Sequence, residues 1–327
     1  MNLYEQQTAN RRKTWLIMAA FVALLVLLGI GFDTVYLGGA GGNFPIGSLL
    51  ALGVGSGSAL VSYYGGDRAV LLATGARPVN EVSEGASEAD TLKLRQFENV
   101  VDEMTIAAGL PRPKTYVVPD SDPNAFATGR DPEHASIAVT RGLLDSLDRE
   151  ELQGVVAHEM SHVRNLDVRV MTIVAALVGA VALLSDWARR GMLWGGGSRR
   201  RGSGRDRGGG AAGIIFFVIW LVAILVAPLV ANLLAMMVSR RREYLADASG
   251  AELTRNPLGL ARALEKIESA AAPTRAIKRG SAHLCIADPL GRRMNLREGS
   301  WSDLFASHPP MAARIKALKA MAFQEHS

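Results

Sequence analysis

Apolar residues in this chain fall into long uncharged runs separated by polar blocks. Residues 1–13 are polar and close on Arg11, Arg12 and Lys13, a cytoplasmic N-terminus in the expected topology. Thr14 to Phe32 then holds 19 residues without a charge, enough for a helix to cross a bilayer. No small-residue cleavage site follows; bulky Ile30 and Phe32 do, which fits a retained anchor better than a signal peptide. Between Asp33 and Asp67 no charge occurs. Gly38 to Gly42 reads as a loop and Phe44 to Tyr64 as a second span, with glycines that permit close helix packing and Tyr63 and Tyr64 in an interfacial aromatic belt. Two more uncharged runs, Val170 to Ser185 and Gly208 to Ser239, flank an Arg- and Gly-rich loop at 189–210; Pro228 predicts a kink in the second.

The polar blocks carry soluble structure. Leu94, Phe97, Val101, Met104 and Ala108 form a helical stripe, so Ala89 to Gly109 is expected to be an amphipathic helix. Thr115 to Val118 and Ser136 to Thr140 read as strands, and Ser121 to Pro132 between them as a turn-rich loop. Arg242 to Leu253, Pro257 to Ala270 and Met311 to Met321 read as helices, and Ala282 to Ile286 as a short strand. The pattern predicts an α+β architecture, mainly helical, with a small β-sheet and up to four transmembrane helices. Its parts are the N-terminus 1–13, two membrane helices in 14–66, a first catalytic part 67–169, a hydrophobic hairpin 170–239 and a second catalytic part 240–327.

The chemistry centres on Val155-Val156-Ala157-His158-Glu159-Met160-Ser161-His162-Val163. Asp148 can cap this helix and Glu151 can close a capping box. His158 and His162 stand one turn apart on one face, a spacing that lets two imidazoles meet one tetrahedral zinc ion. Glu159 can reach a metal-bound water and take its proton. Such an ion needs a third protein ligand. An H-x-x-G-x-x-H extension fails, because Val168 stands where its last histidine belongs. Asp167, just beyond Asn165, points poorly for the role. Glu243 and Asp247 share a helical face downstream; one can bind metal while the other holds a histidine by its second ring nitrogen, and Glu243 is the favoured ligand. His308, in a His-Pro-Pro turn, is the candidate donor to the developing oxyanion; a helix cap before Met311 is its alternative role. The strand Ser136 to Thr140 can lie at a sheet edge and pair with an extended substrate, or be an ordinary half-buried strand.

His-Glu-Met-Ser-His followed by Arg164-Asn165-Leu166-Asp167, a hydrophobic hairpin and Arg242-Glu243-Tyr244-Leu245-Ala246-Asp247 resembles the HtpX-type membrane zinc metalloproteases, relatives of the CAAX prenyl endopeptidases. Arg11 to Trp15, Asn124 to Gly129 and His308-Pro309-Pro310 match the same pattern, so the resemblance runs nearly end to end. It implies a membrane-anchored, zincin-like metalloendopeptidase fold and one zinc per chain on His158, His162 and Glu243. It further implies Glu159 as base, Asp247 supporting a ligand, and damaged or unfolded membrane proteins as substrates.

Composition sharpens this picture. Almost half the residues are hydrophobic, at 49%, and the net charge is +5. Seven arginines in the 189–210 loop supply much of that excess, and they read as a membrane flank rather than a nucleic-acid surface. The single cysteine, Cys285, excludes an internal disulfide. There is no P-loop motif for ATP. Arg11, Arg12 and Lys13 place the N-terminus in the cytoplasm, and two crossings return the chain there, so the site faces the cytoplasm from the inner membrane. As a helix, Val170 to Ser185 reaches only ~24 Å, so the hairpin either crosses or dips in partway. The rival readings are an intramembrane protease, against which the charges around the motif argue, and a scaffold with an incidental histidine pair. Natural substrates and oligomeric state are not legible.

Overall fold

A computed structural model describes residues 3–33, 45–178, 240–270, 284–287 and 309–324. The Arg-rich loop, most of the hydrophobic hairpin, Ala282, His283 and His308 lie outside the described residues; within the expected strand Ala282 to Ile286, Cys285 forms an isolated antiparallel bridge with Phe126.

The two N-terminal helices, α1 (Leu3–Phe32) and α2 (Ile46–Ala73), pack on each other. Among the described residues, α2 is long and apolar enough to cross a membrane. It extends beyond the expected end at Tyr64, taking in Asp67 and Arg68. Leu16, Leu27, Leu50, Leu60 and Val61 point outward from the pair, an exposed apolar surface of the kind that faces lipid. Likewise, the polar residues before Thr14 do not form a separate tail: they begin the same continuous helix as the uncharged run.

After α2 come β1 (Arg77–Pro78), α3 (Val79–Ser83) and α4 (Glu88–Ala108), then β2 (Lys114–Val118), β3 (Ala125–Thr128) and β4 (Ser136–Thr140). Next follow α5 (Arg141–Ser146), α6 (Arg149–Arg164) and a helix at 167–178, α7. The later helices are α8 (Arg240–Thr254), α9 (Pro257–Ser269) and α10 (Met311–Gln324). Local signals explain several boundaries. Ser87 caps α4, which stops at Gly109 with a φ of 64°, a left-handed conformation glycine adopts freely. Asp148 and Glu151 close the capping box expected for α6.

The sheet runs β1-β2-β4-β3, with β2 and β4 parallel and the other pairs antiparallel. This corrects two expectations. The stretch Ser121 to Pro132 is not all loop, because β3 lies within it. Ser136–Thr140 is not an edge strand: it sits between β2 and β3, with its backbone already paired on both sides. The far edge belongs to β3, and there Ile286 donates its N–H to the Ala125 carbonyl at 2.9 Å. Asn124 clamps this junction, donating to the Ala287 carbonyl at 3.0 Å and receiving the Ala125 N–H.

Strand alternation divides the core. Val117, Ile137, Val139, Ala125 and Ala127 pack on the α4 and α6 side, whereas Val118, Ala138 and Phe126 meet α2, α7, Leu284 and Cys285. A third cluster joins α7 to α1 and α2 through Phe21, Ala59, Ile173 and Val174. Tyr63 and Tyr64 sit at this junction, under the guanidinium groups of Arg169 and Arg130 at 5.8 and 5.4 Å from the ring centroids.

Helices α6 and α9 approach at Gly154, where a Cβ would lie 2.7 Å from the Leu260 nitrogen. That neighbour is backbone and cannot swing aside. Gly154→Ala is therefore expected to destabilise the fold by about 1–3 kcal/mol, visible as a lower thermal midpoint in detergent; an unchanged midpoint would contradict the close approach.

Candidate active site

After its exposed first turn, helix α6 is buried nearly to its end, and Glu151, His158, Glu159, Ser161 and His162 are buried with it. His158, Glu159 and His162 are each 3% exposed or less. The two imidazole rings stand edge to face with centroids 4.8 Å apart. Helix α8 crosses them closely: at Gly250 an added Cβ would come within 3.0 Å of the His158 nitrogen. The crossing delivers Glu243 to the rings, with its carboxylate oxygens 3.8 Å from His158 Nε2 and 3.6 Å from His162 Nε2. Ligand atoms of His158, His162 and Glu243 all lie within 4.8 Å of one another, close enough to hold one metal ion.

Carboxylates back both histidines. Asp247 Oδ1 lies 3.0 Å from His158 Nδ1, and Asp167 Oδ2 lies 3.3 Å from His162 Nδ1. A carboxylate at Nδ1 fixes the ring so that Nε2 is presented to the centre. Asp167 occupies this place because Leu166 takes a left-handed φ of 57°, which turns the chain back at the end of α6. Sequence reasoning had discounted Asp167 as a ligand and missed this role. The available signal was the second histidine's need for an Nδ1 partner.

Arg314 was missed as well. Its guanidinium is fully buried and grips Asp247 with both arms, Nε to Oδ2 at 2.8 Å and Nη2 to Oδ1 at 2.7 Å. Nη1 donates to the Ile286 carbonyl at 2.8 Å and lies 3.6 Å from Glu243. A buried arginine one turn into α10 had no periodic signature to reveal it. Arg242 reaches Asp167 Oδ1 at 3.2 Å. His308 falls outside the described residues, although the next residue, Pro309, is buried.

Burial drives the electrostatics. It pushes Glu159 up to about 7 and lowers His158, against the pull of Asp247. Burial also opposes charging of Asp247, but the charge and hydrogen bonds of Arg314 outweigh it and bring the carboxyl down to about 2. At His162 burial is overcome by the Asp167 hydrogen bond and the Glu243 charge, which raise it to about 9. The carboxylates thus hold positive charge where a metal ion would sit.

These residues fit a divalent metal ion. Glu159, Asp167, Glu243 and Asp247 are buried against two buried guanidiniums, those of Arg242 and Arg314. The buried carboxyls outnumber the buried guanidiniums, a surplus that suits a bound cation. Among the described residues, His158 Nε2 and Glu159 Oε1 are buried without a hydrogen-bond partner, so the groups that would face a metal or its substrate are not otherwise engaged.

Comparison with known proteins places this geometry in context. The family model described as Peptidase family M48 matches residues 91–322. A protein named Protease HtpX homolog from Thermoanaerobacter pseudethanolicus is 41% identical over 319 residues, covering 98% of each chain. Proteins of the same name from Streptococcus gordonii and Lactobacillus helveticus are 41% and 42% identical, covering 98% of this chain and 100% of theirs. Among solved structures, Ste24p of S. mikatae matches with a TM-score of 0.48 and 18% identity, over 96% of this chain and 67% of its own.

Removing Arg314 leaves Asp247 charged inside the protein without its guanidinium counter-charge. Arg314→Ala is expected to cost about 3–5 kcal/mol in denaturant unfolding, with only part of the loss recovered by Arg314→Lys, which restores charge but not the two-armed grip. Equal stability of all three proteins would exclude the buried pair.

Proposed function

The chain belongs to peptidase family M48, and from that premise we propose that it is a membrane-bound zinc endopeptidase with Glu159 as its general base. The observation that carries the reading is the convergence of His158, His162 and Glu243 beside buried Glu159. Two imidazoles and one carboxylate are a donor set that suits zinc. When bound, zinc supplies a Lewis acid that polarises the scissile carbonyl and acidifies water.

The protein residues divide the remaining work. Asp247 and Asp167 hold the His158 and His162 rings by Nδ1 and leave Nε2 for the ion. Arg314 keeps Asp247 ionised and offsets the charge of Glu243. Glu159 accepts the proton of the attacking water and passes it to the leaving amine. A carboxylate raised by burial lies near the pH at which it must both take and release a proton. His308 is assigned as donor to the oxyanion, supported by its position just before the buried Pro309, on the chain that leads into α10 and Arg314.

The proposed setting is a multi-pass protein of the cell inner membrane, with residues 170–239 supplying the third and fourth membrane segments and the site facing the cytoplasm. Substrates are misfolded or damaged membrane proteins, cut without ATP. The exposed apolar surface of α1 and α2 and the positive residues Arg11 to Lys13 before the first uncharged run support this placement.

Glu159→Gln removes the base and leaves both imidazoles in place. It is expected to retain zinc in metal analysis and to lose at least 10²–10⁴-fold in peptide hydrolysis, whereas Glu243→Ala loses zinc and activity together. Wild-type turnover by zinc-loaded Glu159→Gln would sink the mechanism. For orientation, Ser121→Cys in a Cys285→Ser background is expected to resist a membrane-impermeant thiol reagent in intact cells, and labelling from outside would reverse the topology. The same probe at Ser203 separates a hairpin that crosses, which labels, from one that dips in.

A further inference from the structure

The first three turns of α1 are polar, yet one face of them is buried. Gln6, Asn10 and Thr14, four residues apart, are 4%, 1% and 0% exposed. Asn10 in this stripe, and Gln7 beside it, bond to the end of α6 and the turn that follows it. Gln7 donates to the Arg164 carbonyl at 2.8 Å. The Asn10 amide donates twice, to the Asn165 carbonyl at 2.9 Å and to Asp167 Oδ1 at 2.7 Å. The other oxygen of that carboxylate, Oδ2, faces His162 Nδ1.

We propose that Asn10 is a positioning residue for His162, acting through Asp167, so that the polar foot of the first helix forms part of the active site. The inference rests on His162 being a metal ligand, as proposed above. A carboxylate that orients an imidazole must itself be held, and Asp167 has two donors on Oδ1: the neutral Asn10 amide and the Arg242 guanidinium at 3.2 Å. Asn10 also ties down the Asn165 carbonyl, at the turn that aims Asp167 at the ring. Thus α1 both leads into the uncharged run and fixes one wall of the metal centre, so undocking its foot loosens His162.

The test measures zinc affinity by competition with a chromophoric chelator, on purified full-length protein in detergent, with thermal unfolding of the metal-free protein in parallel. Asn10→Ala is expected to weaken zinc about 3–10-fold. That is less than the ~10–100-fold expected for Asp167→Ala, which removes the group touching the ligand itself. Gln7→Ala removes a docking bond that does not reach Asp167 and is expected to leave affinity within about twofold. In an Asp167→Ala background, Asn10→Ala adds no further loss, as coupling through Asp167 requires. If Asn10→Ala does not fold, Asn10→Asp carries the same expectation, because it keeps the shape while setting a carboxylate against Asp167. Unchanged affinity in Asn10→Ala, an equal loss in Gln7→Ala, additivity in the double variant, or failure of both Asn10 variants to fold would each overturn the inference. A wild-type protein without zinc affinity would remove the metal-ligand reading and this one with it, whereas zinc binding by wild type with unchanged Asn10→Ala affinity removes this one alone.

Discussion

Burying a carboxylate costs several kcal/mol unless a counter-charge meets it, and four carboxyls, those of Glu159, Asp167, Glu243 and Asp247, are buried around His158 and His162 in this fold. That constraint organises the surrounding structure. Arg314 must be delivered from α10 to Asp247, and Arg242 from α8 to Asp167. Helix α8 must approach α6 at Gly250 to bring Glu243 to the rings. The same contacts that neutralise the charges join segments remote in sequence, since Arg314 and Asp247 are 67 residues apart. Catalytic geometry and tertiary assembly are therefore two descriptions of one set of bonds.

What could be read from the sequence was local. The capping box of α6, the histidine pair and the acidic pair on α8 each declare themselves within a few residues, because helix periodicity alone puts them on a common face. The stripe of α4 and its glycine stop were legible for the same reason. The strand order was not: a parallel β2–β4 pair that leaves β3 outside depends on long-range pairing, and β3 is too short, between Pro123 and Gly129, to show alternation. Asp167 escaped notice because its aim depends on one left-handed residue, Leu166, whose side chain gives no hint of that conformation. Arg314 escaped because a charged residue in a helix reads as surface until its partner is known.

The polar start of α1 teaches a related lesson. Gln6, Asn10 and Thr14 look like a solvated flank before a membrane run, yet their four-residue spacing is that of a helix face, and the face is buried. Asn10 in this stripe, and Gln7 beside it, meet free carbonyls at the end of α6, which only donors can satisfy. Hydrophobic periodicity cannot find such an interface, since nothing in it is hydrophobic.

The continuity of α1 also acts as a ruler. Asn10 touches the residue that backs His162, and the uncharged run begins at Thr14, four positions on, a rise of about 6 Å along the helix. With α1 embedded as proposed, the reaction centre stands only slightly above the bilayer surface. An extended chain covers about 3.3 Å per residue, so a substrate still anchored in the membrane needs only a few unstructured residues beyond its own helix to reach that height. On that proposed placement, membrane proteins with short frayed ends would fall within range, whereas compact soluble proteins would first have to lower an unfolded strand toward the lipid.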